Sequence, residues 1–178
     1  MLLLQNELVH LRALEHEDVD LLYRWENSPE IWAVSNTLVP YSKHVLTKYI
    51  ESSHHDLFES RQLRLIIEAK PAFNPIGAID LFDYEPYHTR AGIGILIAEK
   101  SERKKGYAGA ALDVLNDYCF QYLKMHQLYC NIAVDNHNSL KLFKSKGFII
   151  AGIKKDWIRG VKGWIDEYML QKINPLKF

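Results

Sequence analysis

Cysteine is scarce in this chain. Cys119 and Cys130 are the only two, and they do not stand in the C-x-x-C spacing of a zinc site or a redox motif. The sequence therefore indicates neither a structural zinc site nor a disulfide framework. Cys119 falls in a run with helical periodicity and Cys130 in a predicted strand, so we expect both to be small buried hydrophobic groups.

The chain also lacks an excess of charge of either sign and a long hydrophobic run. Its 22 Lys and Arg residues balance 22 Asp and Glu residues, which removes the case for a charge-driven nucleic-acid or membrane partner. No stretch is long enough for a transmembrane helix, and the apolar opening at residues 1–4 is too short for a signal peptide. We therefore expect a cytoplasmic protein, and its length of 178 residues predicts a single domain over residues 1–178.

The eight histidines form no metal-ligand pattern. His54 and His55 are adjacent, so on a helix they face different directions and cannot form the i, i+4 pair that binds a metal. A solvated helix face is the better interpretation of this pair, and the sequence predicts no metal site.

The most informative stretch that is present covers residues 93–112. It contains an apolar strand, a short charged turn, a basic glycine-containing loop and a helix rich in alanine and leucine. Gly106 and Gly109 have no Cβ, so a ligand can approach the backbone closely there. The first N–H groups of the helix have no intrahelical acceptor, and the basic residues 103–105 add positive charge. This order of parts predicts a phosphate-binding site.

The spacing within this loop excludes two common nucleotide motifs. Neither the P-loop pattern G-x-x-x-x-G-K-[ST] nor the dinucleotide pattern G-x-G-x-x-G is present. The order Arg103-x-x-Gly106-x-Ala108, after a strand and at the start of a helix, resembles the acetyl-CoA pyrophosphate loop of the GNAT superfamily of N-acetyltransferases. Taken alone, the pattern also fits a solvated turn that caps an ordinary amphipathic helix.

A second stretch with the same resemblance follows along the chain. Residues 128–134 form a predicted strand after the helix, and such a β-α-β crossover places the fourth and fifth strands side by side and parallel. A ligand then enters at their carboxyl ends. The run from Asn136-x-x-Ser139 to Gly147-Phe148 resembles the GNAT segment after the fifth strand. Asn136 and Ser139 also suit simple helix capping, and the two roles are compatible.

The two matches stand in the correct order, and the resemblance covers nearly the whole chain. It is strongest to the branch of ribosomal-protein N-terminal and spermidine acetyltransferases. It implies an α+β fold with a mixed, mostly antiparallel sheet of about seven strands, flanked by helices, whose parallel fourth and fifth strands splay apart at the cofactor site. It also implies acetyl-CoA as cosubstrate. The residues implied at the cofactor site are Ile95, Leu96, Ile97, Arg103, Lys104, Lys105, Gly106, Tyr107, Ala108, Gly109, Asn136, Ser139, Phe143 and Lys146.

Hydrophobic periodicity predicts the remaining elements. The predicted helices and strands before the informative stretch cover residues 7–12, 19–25, 42–57, 64–68 and 76–84. The last two strands and the strand that contains Ile93 should form an antiparallel meander. Two more strands flank a turn at residues 160–163, and their aromatic side chains suggest a possible homodimer contact.

The resemblance implies transfer of an acetyl group to a primary amine by direct attack in a ternary complex. The amine must be neutral to attack, so a base or a water chain takes its proton, and a backbone N–H of the fourth strand stabilises the developing oxyanion. Candidate bases or amine anchors are Asp80 on the third strand and Glu85 in the turn beyond it, although each also suits an ordinary surface carboxylate. Tyr84, Tyr87 and His88 are further polar groups near the expected acceptor side.

Two positions depart from the family's pattern. Phe143 stands where a tyrosine commonly gives a proton to the leaving thiolate, and a phenyl ring has no proton to give. Gly92 stands where spermidine acetyltransferases often carry a glutamate, which weakens a polyamine assignment. The acceptor stays open between a small-molecule amine and a protein N-terminus, and a CoA-binding module without turnover is the alternative function.

Overall fold

A mixed β-sheet of seven strands organises the protein. The computed structural model describes residues 3–35, 37–53 and 56–176. The strands are β1 (Val9–Ala13), β2 (Leu63–Ala69), β3 (Asn74–Glu85), β4 (Arg90–Ile97), β5 (Gln127–Ala133), β6 (Ile149–Gly160) and β7 (Gly163–Ile173). Their order across the sheet is β1-β2-β3-β4-β5-β7-β6, and the predicted meander is the run from β2 to β4. One continuous sheet supports the predicted single domain, which stays a prediction.

The α-helices of the described ranges connect these strands. They are α1 (Val19–Glu26), α2 (Pro29–Ser35), α3 (Lys43–Ser52), α4 (Leu57–Ser60), α5 (Tyr107–Asp117) and α6 (His137–Ser145). The first four lie between β1 and β2, whereas α5 crosses from β4 to β5 and α6 links β5 to β6. Within the described ranges, each helix is too short or too polar to span a bilayer.

Alternating side chains divide the sheet into two faces. On one face, here called the α5 face, Ile93, Leu128 and Leu170 belong to a buried cluster that also contains side chains of α5 and α6. On the opposite face, called the α1 face, Ile66 of β2 packs in a second cluster with side chains of α1, α2 and α3, and Leu96 of β4 packs against it. Helices therefore cover both sides of the central strands.

One predicted helix is wrong in its extent. The helix expected over residues 42–57 is two helices, because α3 ends at Ser52 and α4 begins at Leu57. The Asp56 side chain accepts hydrogen bonds from two backbone amides of α4, so it starts a new helix. The pair 54–55, predicted on a solvated helix face, lies outside the described residues, and that prediction stays untested.

The parallel pair β4 and β5 opens along its length. The two strands pair only at Arg90 with Gln127, Ala91 with Leu128 and Gly92 with Tyr129. Both strands continue beyond these pairs, β4 to Ile97 and β5 to Ala133. We call the gap between residues 93–97 and residues 130–133 the fork. Every other pair of neighbouring strands is antiparallel, so the predicted mixed sheet with a splayed parallel pair is confirmed.

Candidate active site

The loop that follows β4 leads to the N-terminus of α5, which has no side-chain cap. Gly106 precedes α5 with φ of +88°, a left-handed conformation that glycine adopts without strain. The first intrahelical hydrogen bond runs from the Ala110 amide to the Gly106 carbonyl at 3.0 Å. The amides of residues 107–109 precede it and have no intrahelical acceptor, and Gly106 has no side chain to accept them. A Cβ built at Gly106 would meet nothing within 4 Å, so this cradle is open.

The basic residues of this loop have different roles. Arg103 turns back toward the end of β4, where its Nε donates to the Ile97 carbonyl at 2.9 Å and Nη2 donates to the Ala98 carbonyl at 3.3 Å. Lys105 pairs with Glu102 at 3.1 Å. Lys104 is exposed, so its charge remains available beside the helix start. Arg103 therefore fastens the loop to β4, while Lys104 and the amides present positive charge to an anion.

Lys146, paired with Asp113, lies at the same helix start. A Cβ built at Gly109 would lie 3.1 Å from Lys146 Cε and 3.4 Å from its Nζ, so the lysine crosses the first turn of α5. Its Nζ lies 2.5 Å from Asp113 Oδ2, which fixes that position. The missing side chain at Gly109 thus allows the end of α6 to approach the start of α5.

The start of α6 borders the other side of the fork. The Asn136 amide donates to the Ala133 carbonyl at 3.0 Å, and the Asn136 side chain accepts from the Ser139 amide at 3.2 Å. The predicted capping role is confirmed for Asn136, whereas Ser139 takes part through its backbone amide. Further along, Phe143 is only 4% exposed and packs edge-on against Phe148 at 5.1 Å between ring centroids. Phe143 is therefore part of the core, with no group that can protonate a thiolate.

The β4 edge of the fork combines apolar side chains with free backbone groups. Ile95 and Ile97 pack against the cluster on the α5 face, whereas Leu96 packs on the α1 face. Beyond Gly92, β4 has no strand partner on the side of β5. Its backbone N–H groups on that side are available to an oxyanion.

On the α1 face, Asp80 lies beside the fork in a charged cluster. Asp80 is opposite Gly94 of β4 and Arg64 of β2. Arg64 donates from Nε to Asp80 Oδ1 at 2.6 Å and from Nη1 to Glu26 Oε1 at 2.5 Å. Burial alone would lower the pKa of the Arg64 guanidinium, but Asp80, with Tyr49 and Glu26, raises it, so Arg64 stays charged. Two carboxylates share one cation, and the cluster has a net negative charge.

The structure places Glu85, the second candidate base, far from Asp80. Glu85 is opposite Arg90, where β4 begins, and its carboxylate is 3.4 Å from Arg61. Gly94 lies four residue steps along β4 from Arg90, which is about 13 Å along a strand. The fork opens at the other end of β4. The geometry therefore favours Asp80, and no contact in the described ranges supports a catalytic Glu85.

Gly92 has a steric reason to be glycine. A Cβ at this position would lie 2.2 Å from Phe82 Cε2. The Phe82 ring also meets Tyr129 of β5 edge-on at 6.0 Å between centroids. No side chain fits at residue 92 while Phe82 stays in place. The absence of a glutamate here is thus a consequence of the packing of Phe82.

A second ion pair lies on the β7 side of the fork. Glu167 of β7 is opposite Ala133, the last residue of β5, and Lys154 Nζ lies 2.6 Å from Glu167 Oε2. Sequence reasoning missed Glu26, Arg64 and this pair, because they come from distant parts of the chain. The signal that could have found Glu167 is an acidic residue directly before the run Tyr168-Met169-Leu170 of a predicted strand.

These features fit acetyl-CoA. The open cradle at Gly106, with three adjacent amides and the exposed charge of Lys104, suits a diphosphate. The unpaired edges of β4 and β5 leave room for an extended arm between the strands. The cosubstrate supplies an activated acetyl thioester, and these residues would hold it.

Comparisons with known proteins agree with this geometry. The acetyltransferase (GNAT) domain family matches residues 9–149. A spermidine N(1)-acetyltransferase of Vibrio cholerae is 27% identical over 150 residues, which are 83% of this chain and 82% of that protein. An uncharacterised N-acetyltransferase, p20 of Bacillus licheniformis, is 28% identical over 167 residues, which are 93% of each chain.

A solved structure shares the fold over almost its full length. Spermidine N-acetyltransferase of Vibrio cholerae, in complex with CoA and spermine, superposes with a TM-score of 0.84 at 24% identity. The match covers 95% of this chain and 97% of that one. Because the family matches most of the chain and the fork carries the expected cradle, the protein belongs to the GNAT acetyltransferase family and is an acetyl-CoA-dependent N-acetyltransferase.

Proposed function

We propose that the acceptor is a small primary amine with a positive charge, bound on the α1 face of the fork. The observation that carries this proposal is the position of Asp80, one strand away from the fork and opposite Gly94. Around the fork on this face, the carboxylates of Glu26, Asp80 and Glu167 outnumber the cations of Arg64 and Lys154 by one. A net negative charge attracts an ammonium group and disfavours an anionic acceptor.

Asp80 is the group we propose as amine anchor and proton acceptor. Arg64 holds both of its oxygens, at 2.6 Å and 3.2 Å, but a carboxylate has about four lone-pair positions and two remain for an ammonium. The amine must lose a proton before it attacks, and Asp80 can receive it directly or through a water molecule. Backbone N–H groups of β4 beyond Gly92 then stabilise the developing negative oxygen.

The comparisons support an aliphatic amine as acceptor. The relative from Vibrio cholerae is a spermidine acetyltransferase, and the superposed structure contains spermine. In this chain the glutamate that such enzymes often carry in β4 is replaced by Gly92. We propose that Asp80 and Glu26 supply the negative charge instead, which removes the sequence-based objection to a polyamine.

The test is a panel of acceptors with acetyl-CoA, followed through release of free thiol. The panel contains aliphatic monoamines, diamines and polyamines, peptides with a free N-terminus, and amines that carry a carboxylate or phosphate. We expect the highest kcat/KM for the positively charged aliphatic amines. Turnover confined to peptides or to anionic amines would contradict the proposal.

We also infer self-association through β6, as an extension of the predicted homodimer contact. β6 is the edge strand of the sheet, and Ile149, Ile153 and Trp164 of the β6–β7 hairpin are exposed. Light scattering should give at least twice the mass of the chain, and Ile153→Lys should shift it toward the monomer. A monomeric mass at high concentration would contradict this contact. The cytoplasmic location stays a prediction, and the buried free thiols of Cys119 and Cys130 agree with it.

A further inference from the structure

Glu167 lies in an unusual setting for a carboxylate. The residue is only 9% exposed, although it belongs to β7, the strand next to the edge of the sheet. Along the same strand, Leu170 belongs to the cluster on the α5 face and Tyr168 packs against it. Because successive side chains of a strand alternate between the two faces, Glu167 points to the α1 face. Because Glu167 is opposite Ala133, it stands one strand away from the fork, on the side opposite Asp80.

The partner of Glu167 is a primary alkylammonium supplied by the chain itself. Lys154 Nζ lies 2.6 Å from Glu167 Oε2 and 4.8 Å from the centroid of the Trp157 ring. The other carboxylate oxygen, Oε1, accepts no hydrogen bond from the described ranges of the chain. A buried carboxylate and an indole face are the two groups that together recognise an ammonium in an aqueous cleft.

A β-bulge brings Trp157 to this position. In a regular strand, residues 154 and 157 point to opposite faces. The register between β6 and β7 is irregular from Lys154 to Ile158, and this irregularity lets the Trp157 ring approach Lys154. Asp166 fixes the bulge, because it accepts from Lys155 Nζ at 2.7 Å and from the Asp156 amide at 2.9 Å.

The pair can exchange its cation without leaving a buried charge unpaired. Removal of Lys154 alone would leave Glu167 without a partner, which is unfavourable for a carboxylate with so little exposure. A second ammonium that enters as Lys154 leaves keeps the carboxylate compensated. Lys154 can leave, because its side chain is 30% exposed and Trp157 is 59% exposed.

We propose that Glu167 and Trp157 form a second ammonium site for the acceptor, and that Lys154 occupies this site until the acceptor displaces it. This inference rests on the proposed function and narrows it to aliphatic diamines and polyamines. One amine then lies at the fork near Asp80, and a second ammonium lies between Glu167 and Trp157. Lys154 is an internal competitor that sets the affinity for the second charge.

The test compares a diamine with a monoamine of similar length as acceptors for the full-length protein. Lys154→Met keeps an unbranched side chain against Trp157 but removes the competitor, so the KM for the diamine should fall about three- to tenfold. Glu167→Gln removes the negative charge, so the same KM should rise about tenfold or more. The diamine-to-monoamine ratio of kcat/KM should therefore rise in the first variant and fall in the second.

Two further variants separate a specific effect from a general one. Lys162→Met removes an exposed lysine of the same hairpin, in the turn beyond the bulge, and should leave the diamine-to-monoamine ratio unchanged. In the double variant Lys154→Met/Glu167→Gln, the ratio should equal that of Glu167→Gln, because the competitor acts only through the carboxylate. Each variant is checked for folding by its thermal midpoint.

Calorimetric titration of the diamine into the protein with CoA gives a readout that does not depend on turnover. Binding to Glu167→Gln should be at least about fivefold weaker than to the natural chain. If the natural chain acetylates amines but the ratio and the affinity do not respond to Lys154→Met and Glu167→Gln, the second site is overturned while the proposed function stands. If the natural chain acetylates no charged amine, the proposed function fails first.

Discussion

The two faces of the fork are built in different ways. On the α5 face, the cradle consists of the backbone amides of residues 107–109, with Lys104 and Lys146 beside them. All of these except Lys146 lie in one short stretch of chain. On the α1 face, charged side chains come from α1, β2, β3, β6 and β7. Backbone amides do not depend on the side chains around them, so they suit CoA, which is the constant partner of the reaction. Separate side chains can be exchanged one at a time, so they suit the recognition of a particular acceptor. Substitutions on the α5 face should therefore change the affinity for CoA, and substitutions on the α1 face should change kcat/KM for the amine.

The largest effect is expected from Gly106→Asp on the α5 face. The new side chain enters the open cradle with a negative charge, at a backbone conformation that disfavours side chains. We expect CoA affinity to fall by about 100-fold or more, which corresponds to about 2.7 kcal/mol. Calorimetric titration with CoA measures it, and the thermal midpoint reports whether the fold is kept.

Gly106→Asn is the matched control for that variant. Asparagine has nearly the same size as aspartate and tolerates a positive φ better than most residues. It should keep CoA affinity within about tenfold of the natural chain, since only the charge differs between the two variants. Equal affinity in Gly106→Asp and the natural chain would remove the diphosphate from this loop.

On the α1 face, Asp80→Asn should affect the acceptor and not CoA. The change removes a negative charge beside the fork and the proposed proton acceptor, so kcat/KM for the amine should fall about 10- to 100-fold. CoA affinity should stay within about twofold. Glu85→Gln, at the far end of β4, is the control and should leave kcat/KM nearly unchanged. A larger loss in Glu85→Gln than in Asp80→Asn would reverse the assignment.

A variant away from both faces should change stability alone. Burial by itself raises the pKa of the Asp18 carboxyl, but hydrogen bonds from Arg12 and the Glu15 amide outweigh it and hold the pKa below its ordinary value of 3.8. Because the folded pKa lies below the unfolded one, Asp18 stabilises the fold above pH 3.8, and this contribution is lost as pH falls through the folded value.

Asp18→Asn should therefore lower the free energy of unfolding by about 2 kcal/mol at pH 7 and flatten its decrease in acid. Asp20→Asn is the control, since the Asp20–Lys43 pair is exposed, and it should cost less than about 0.5 kcal/mol. Urea unfolding at several pH values measures both. An unchanged acid dependence in Asp18→Asn would contradict the role given to its pKa.

Phe143→Tyr should have a small effect on both stability and turnover. Phe143 packs against Phe148 in the core, so an added hydroxyl has no free path to a leaving thiolate. We expect a loss of about 1 kcal/mol in stability and a change in kcat of less than about threefold. A tenfold rise in kcat would show instead that the ring edge faces the leaving group.

The parts of the protein that were predictable are those that depend on neighbouring residues. The strand, the loop with Gly106 and the start of α5 form one local pattern, and the β-α-β crossover rule then places β4 beside β5. The capping role of Asn136 follows from a spacing of three residues to Ser139. Each of these predictions needs only short-range chemistry.

The parts that were not predictable depend on the packing of distant segments. Asp80 is recognisable as a candidate, but its partner Arg64 and the second carboxylate Glu26 become neighbours only when α1 docks on β2 and β3. The helix α2 was not among the predicted elements, although Pro29 suits its first position because the fixed φ of proline fits there. The bulge that brings Trp157 to Lys154 has no signature in the hydrophobic pattern.

A crystal structure of the protein with CoA and an aliphatic diamine would show both faces of the fork occupied at once. We expect the diphosphate on the amides of residues 107–109, the sulfur between β4 and β5, and one amine on the α1 face near Asp80. A diphosphate bound away from the start of α5, or an amine that reaches the sulfur from the α5 face, would contradict this expectation.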